Sequence, residues 1–184
     1  GNAACNLKFE NFQHPDIHFV FPVATNESVS SKPIIDNFSE QWFSFLKENL
    51  YGSLNDWYSH LDFKNKQGNI SVNEASNIIK KLSLKSFEGG YKIMIIWMAE
   101  KMNTEASNRL LKLLEEPTEK TVFLLIAEDE KAILQTILSR CQILHFNKLA
   151  DNDIQQALTS NENCDYSEAA AIAVKAQGNY NKAL

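Results

Sequence analysis

Two apolar runs constrain this 184-residue chain more than anything else in it. Lys92 to Met98 (KIMIIWM) and Thr121 to Ala127 (TVFLLIA) are short and flanked by turn formers. Such runs suit strands buried on both faces of a sheet. Between them, Asn103 or Thr104 caps a helix whose Ala106, Leu110, Leu113 and Leu114 line one side, and Pro117 fixes its end. A short helix at about 130–138 then leads to a third strand, Gln142 to Phe146. This strand–helix–strand–helix–strand order implies a parallel sheet with helices on its faces.

The flanking segments are simpler. Residues 1–16 read as polar and irregular, and Ile17 to Val23 (IHFVFPV) reads as a short buried strand ending near Pro22. Two amphipathic helices follow a loop at 24–35. Phe38, Trp42, Phe45 and Leu46 stack on one face of the first, and Leu54, Trp57, Tyr58 and Leu61 on one face of the second. Residues 64–69 form a polar loop, and Ser71 with Glu74 has the spacing of a capping box. The helix behind that box points Val72, Ala75, Ile79 and Leu82 inward and Lys80, Lys81 and Lys85 outward. From Asp151 the pattern is helical, at 151–160 and 167–176, as in a small separate domain.

Composition excludes several functions. Acidic residues outnumber basic ones, 23 to 18, which argues against a surface that grips nucleic acid all over. No apolar run approaches the ~20 residues of a membrane span. No basic-then-apolar leader is visible, and three scattered cysteines make no disulfide framework, so a reducing cytoplasm is the expected location. None of the six glycines precedes a Lys-Ser or Lys-Thr pair, so the chain holds no phosphate-cradling P-loop. A nucleophile elbow and a His-Glu-x-x-His pair are also absent.

Residues 108–117 (NRLLKLLEEP) and 136–141 (TILSRC) carry a resemblance. They are similar to the N-A-L-L-K-x-L-E-E-P and T-I-x-S-R-C signatures of the bacterial DNA polymerase III clamp loader, an AAA+ assembly. His14-Pro15-Asp16 fits the family's H-P-D in the same order. The likeness covers about 17–23 and 70–184, and it makes 24–69 a helical insertion. It implies an α/β fold: a truncated AAA+ parallel sheet flanked by helices, plus a small all-α lid. The domains expected are 1–147, a partial AAA+ domain lacking the P-loop strand and helix, and 148–184, an incomplete lid. It also implies that the chain is a fragment, without the P-loop segment before it or the collar domain after it.

Within that family the chain resembles the stator type, the delta-prime subunits, more than the gamma/tau motor. A motor has Asp-Glu at the end of the strand equivalent to Lys92–Ile96, one acid to organise Mg²⁺ and one to activate water. Trp97 and Met98 stand there, and neither ligates a hard cation or takes a proton. Glu100 is the nearest carboxylate. Ala127 or Glu128 replaces the polar sensor after the next strand, and Asn181 replaces the arginine of the second sensor. The resemblance therefore implies no cofactor in this chain and no enzymatic activity by itself. The chain would be a subunit of a DNA-directed DNA polymerase holoenzyme, and ATP-Mg would sit on a neighbour. Gamma/tau and delta subunits, the sliding clamp and primed DNA would be its partners, and no membrane.

Arg140, with Ser139 and Cys141 as its motif, is implied to be an arginine finger reaching a neighbour's γ-phosphate. Arginine suits that task because it is always charged and offers a planar fork of donors. An isolated triplet would read as a surface arginine at a helix C-terminus, where positive charge is favourable. Glu115 and Glu116 point about 100° apart on a helix, which suits a solvated helix end better than paired acid–base chemistry. The family carries a four-cysteine zinc module before H-P-D. Only Cys5 stands there, so it is a remnant and no metal is expected. Cys141 and Cys164 read as small buried residues.

The aromatic residues of the insertion are expected to pack its two helices, with Phe43 and Tyr51 off the main stripe as candidate contacts. Lys80, Lys81 and Lys85 read as a solvated face, or as a DNA-facing patch in an assembled ring. Two other functions fit less of the chain: a divergent gamma/tau-type ATPase motor, and a protein-interaction adaptor using the aromatic insertion.

Overall fold

The structure is a computed structural model that describes residues 3–63 and 66–184. The side chains of residues 3–5 and the whole of residues 64 and 65 lie outside the description, and with them the expectation for Cys5. The described residues form two compact units. One comprises residues up to 48 and 54–142, the other 49–53 and 143–184. The division falls before the boundary expected at 147/148, and 49–53 of the expected insertion goes with the second unit.

The first unit holds a three-stranded parallel sheet in the order β1 (Ile17–Val20), β2 (Lys92–Trp97), β3 (Thr121–Ile126). Ile17 pairs with Ile93 and Lys92 with Thr121, and both ladders run in step from there. Its helices are α1 (Ala3–Glu10), α2 (Ser39–Glu48), α3 (Leu54–His60), α4 (Val72–Ser83), α5 (Thr104–Glu115) and α6 (Gln135–Leu138). A 3₁₀ turn at Ile35–Phe38 leads into α2. The α/β class expected from the two apolar runs is thus observed. The helix α1 was not expected, because its sequence has no apolar stripe to mark it.

One face of the sheet is sealed. Val20, Met94 and Ile96 are buried in one cluster with Ala75, Ile78 and Leu82 of α4 and Ala106 and Leu110 of α5. The other face is covered only in part. Trp42 of α2 lies against Phe19 and Trp97, whereas Val122, Leu124 and Ile126 of β3 are 40–49% exposed on that same face. The expectation that the 121–127 run is buried therefore fails for alternate residues. β3 is an edge strand of the sheet.

Three local expectations also fail. Gln142–Phe146 forms no strand, and Phe146 is 93% exposed. An apolar run becomes a strand only where a neighbouring strand offers its backbone. The region 130–138 is not one helix but a 3₁₀ turn at Glu130–Ala132 followed by α6. The capping box is not made. Ser71 Oγ is buried without a partner, and the Glu74 carboxylate instead accepts the Ile35 N–H at 2.9 Å, 39 residues away in sequence. Asn103, by contrast, caps α5 as expected, its side chain accepting the Ala106 N–H at 2.8 Å.

The second unit packs α7 (Asp151–Asn161) on α8 (Tyr166–Ala176), with Ile154 and Leu158 against Ala169, Ala173 and Ala176. Gly178 turns the chain after α8 at φ +81°, and a Cβ there would come within 2.5 Å of Lys148 Cβ. Only glycine meets both demands.

Candidate functional site

The site builds up from α5. Leu110 is fully buried and Leu113 and Leu114 are partly so, which fixes the roll of the helix. Pro117 cannot continue it, so α5 ends at Glu115, on the exposed side. The short α6 packs against α5 and holds the fully buried Ile137. Arg140 then follows in the last turn, where its N–H donates to the Ile137 carbonyl at 3.0 Å.

Those constraints bring Arg140 to Glu115. Arg140 Nε donates to Glu115 Oε1 at 2.7 Å, and Nη2 pairs with the same oxygen. Nη1 donates to the Thr136 carbonyl at 2.6 Å and to Ser139 Oγ at 3.2 Å. Ser139 Oγ in turn donates to the Thr136 carbonyl at 3.1 Å. The arginine thus sits in a small polar cage made by its own turn and the end of α5. Cys141 is half-buried, and burial pushes its thiol up, away from the nucleophilic thiolate. Of the expected site residues, Arg140 and Ser139 come together. Glu115, read from sequence as a solvated helix end, is a direct partner of the arginine.

At the C-terminal end of β2 the chemistry is apolar. The Trp97 ring is 5.3 Å from Trp42 and 6.3 Å from Phe45 of α2, so the insertion packs onto it. Met98 is 3% exposed and takes a left-handed conformation, φ 57°, at the turn out of the strand. Such a conformation is uncommon in a residue other than glycine. Glu100 Oε1 accepts the Glu128 N–H at 3.4 Å, while its Oε2 is buried and unpartnered. Among the described residues no group of three His, Cys, Asp or Glu side chains could hold a metal ion.

His14-Pro15-Asp16 is structural in this setting. Asp16 is buried and accepts the N–H of Phe87 at 2.6 Å and of Glu88 at 3.0 Å, anchoring the loop between α4 and β2. His14 Nδ1 accepts the Asp16 N–H at 3.1 Å. The aromatic insertion is mostly packing. Trp42, Phe45 and Trp57 are buried, and Phe43, expected as a contact residue, stands edge-on to Phe19 within the core. Tyr51 is 59% exposed, in the second unit, with its ring against Tyr180. Its carbonyl accepts Asn181 Nδ2 at 2.6 Å. Lys81 pairs with Asp36, and Lys80 and Lys85 are the exposed members of the basic row.

The parallel sheet, its two signature turns and the apolar end of β2 together mark a clamp-loader type of subunit, delta-prime-like. The chain belongs to the family described as DNA polymerase III, delta subunit, whose model matches residues 2–150. It is 40% identical over 92 residues to the DNA polymerase III subunit delta' of Yersinia pestis, covering 50% of this chain and 27% of that protein. It is 31% identical over 118 residues to the subunit tau/gamma of Haemophilus influenzae, covering 61% of this chain and 17% of that protein. A gamma subunit-related protein of Thermotoga maritima superposes with a TM-score of 0.46 at 26% identity, over 59% of this chain and 38% of that one. The chain spans about a quarter of the delta' relative it matches. Among the described residues no helix is long and apolar enough to cross a membrane.

Proposed function

We propose that the protein is the non-hydrolysing stator of a DNA polymerase III clamp loader. It lends Arg140 to the nucleotide of an adjacent gamma/tau-type subunit and helps place the sliding clamp on primed DNA. The observation that carries this reading is the end of β2. Trp97 and Met98 occupy the two positions where a hydrolysing subunit needs a metal-organising acid and a water-activating acid, and both are packed into apolar surroundings. Neither side chain polarises water or neutralises a triphosphate. Arg140 supports the second half of the reading. It is a third exposed, so it stands at the surface of its unit while its turn is held by Ile137 and Thr136.

The role is a trans one in this reading because Trp97 and Met98 put no acid pair at the end of β2 to serve a nucleotide on the same subunit. Arginine fingers contribute ~10³–10⁵ in rate in the best-studied GTPases. A loader with several nucleotide sites would lose only the share that depends on this one. The test is Arg140→Ala in the full-length protein, assembled with its partner subunits, clamp and primed DNA. ATP turnover should fall by at least about tenfold at the site this subunit serves, with assembly unchanged. Wild-type turnover in that loader would refute the role. The adaptor reading has less to draw on, since Phe38, Trp42, Phe45, Trp57 and Phe63 of the insertion are buried, although Tyr51 is exposed.

A further inference from the structure

Every nitrogen of the Arg140 guanidinium is already engaged within the chain. Nε and Nη2 meet Glu115, and Nη1 meets Thr136 and Ser139. A phosphate is bound best by two parallel N–H groups from one edge of the fork. The Nε–Nη2 edge is filled by a carboxylate, an anion with the same donor preference. Glu115 and Arg140 thus form a closed pair across two helices, 25 residues apart in sequence.

We propose that Glu115 is a latch on Arg140: it holds the guanidinium in its own subunit until a phosphate of the neighbour's nucleotide displaces it. This rests on the trans-finger reading of Arg140 above. The exchange is between like chemistries, one oxyanion for another on the same donors. Both side chains are partly exposed, 32% for Arg140 and 44% for Glu115, so the pair is loosely held and a more highly charged phosphate competes for it. The Nη1 contacts to Thr136 and Ser139 use a different nitrogen, so the turn keeps its grip while the latch opens. Glu115 is a positioning residue: it acts on the neighbour's nucleotide only through the arginine.

The latch has a signature. A finger free for only part of the time weakens apparent nucleotide affinity by that fraction. For an exposed pair of this kind the factor is about 2–5. Glu115→Gln keeps the shape and an acceptor oxygen but removes the charge. Steady-state ATP hydrolysis is measured against ATP concentration in the complete loader, with clamp and primed DNA. The full-length subunit is wild type, Glu115→Gln, Arg140→Ala or both. The Glu115→Gln loader should show a KM for ATP two- to fivefold lower without a fall in kcat, and the effect should vanish in the Arg140→Ala background. An unchanged KM would overturn the latch, provided Arg140→Ala is impaired. A lowered kcat would overturn it too, by making Glu115 a support the finger needs. If Arg140→Ala itself is without effect, the finger reading fails and the latch fails with it.

Discussion

Trp57 offers the sharpest test of what the helical insertion is for. It is fully buried, with its ring 5.1 Å from Phe21, 5.1 Å from Trp42 and 5.3 Å from Phe45. Its Nε1–H donates to the Pro22 carbonyl at 2.9 Å, just past β1. Trp57→Ala would leave a cavity at the centre of this cluster and a buried carbonyl without its donor. Truncation of a buried Trp costs about 3–5 kcal/mol, and the orphaned carbonyl takes the figure to the upper end. For a protein of this size that corresponds to a fall in Tm of roughly 6–20 °C. Trp57→Phe keeps most of the packing and loses the hydrogen bond, for about 1–2 kcal/mol. Chemical denaturation followed by fluorescence and circular dichroism would read both. A loss below about 1 kcal/mol for Trp57→Ala would refute the reasoning, since only an unpacked site tolerates it. The insertion would then be free to serve a partner.

Other expectations follow from buried polar groups. Asp16→Ala leaves the Phe87 and Glu88 amides without their acceptor, at about 3–5 kcal/mol for two charge-assisted bonds. Hydrogen exchange at those two amides should rise well above that in the rest of the unit. Burial pushes the Glu74 carboxyl above the usual carboxylate range, outweighing the Ile35 N–H and Lys81, which pull it down. Its folded form therefore holds a proton that the unfolded form gives up. The contribution is fully present below the unfolded pKa and is lost as pH rises through the folded one. Stability should decline with rising pH across that window, and Glu74→Gln should flatten the decline in denaturation curves taken from pH 4 to about 8. Asp36 has the opposite sign. Burial raises its pKa, but the hydrogen bond and charge of Lys81 outweigh that and lower it. Its contribution is present above the unfolded pKa and lost as pH falls through the folded one, at the acid end.

The elements with a clear period were legible in the sequence. β2 and β3, the one-sided stripe of α5 with its Asn103 cap, and the α7–α8 pair all stand where apolar spacing puts them. What escaped depended on distant partners. Glu74 sits three residues after Ser71, as a capping box requires, yet a buried amide at Ile35 takes its carboxylate. Gln142–Phe146 has the composition of a strand but pairs with no strand, and composition does not reveal that. Arg140 stands out through its motif, whereas its partner Glu115 does not, because their pairing exists only once α5 and α6 bring two helix ends together. A carboxylate just before Pro117 and an arginine just after the next helix were the available hint.

The central claim is that this protein acts on a nucleotide it does not itself cleave. The most direct measurement is ATP hydrolysis by the purified full-length protein, alone and free of other loader subunits. The account predicts no turnover above background, with the partly buried Trp97 and the buried Met98 where the acids would have to stand. Sustained cleavage by the wild-type protein on its own would contradict it.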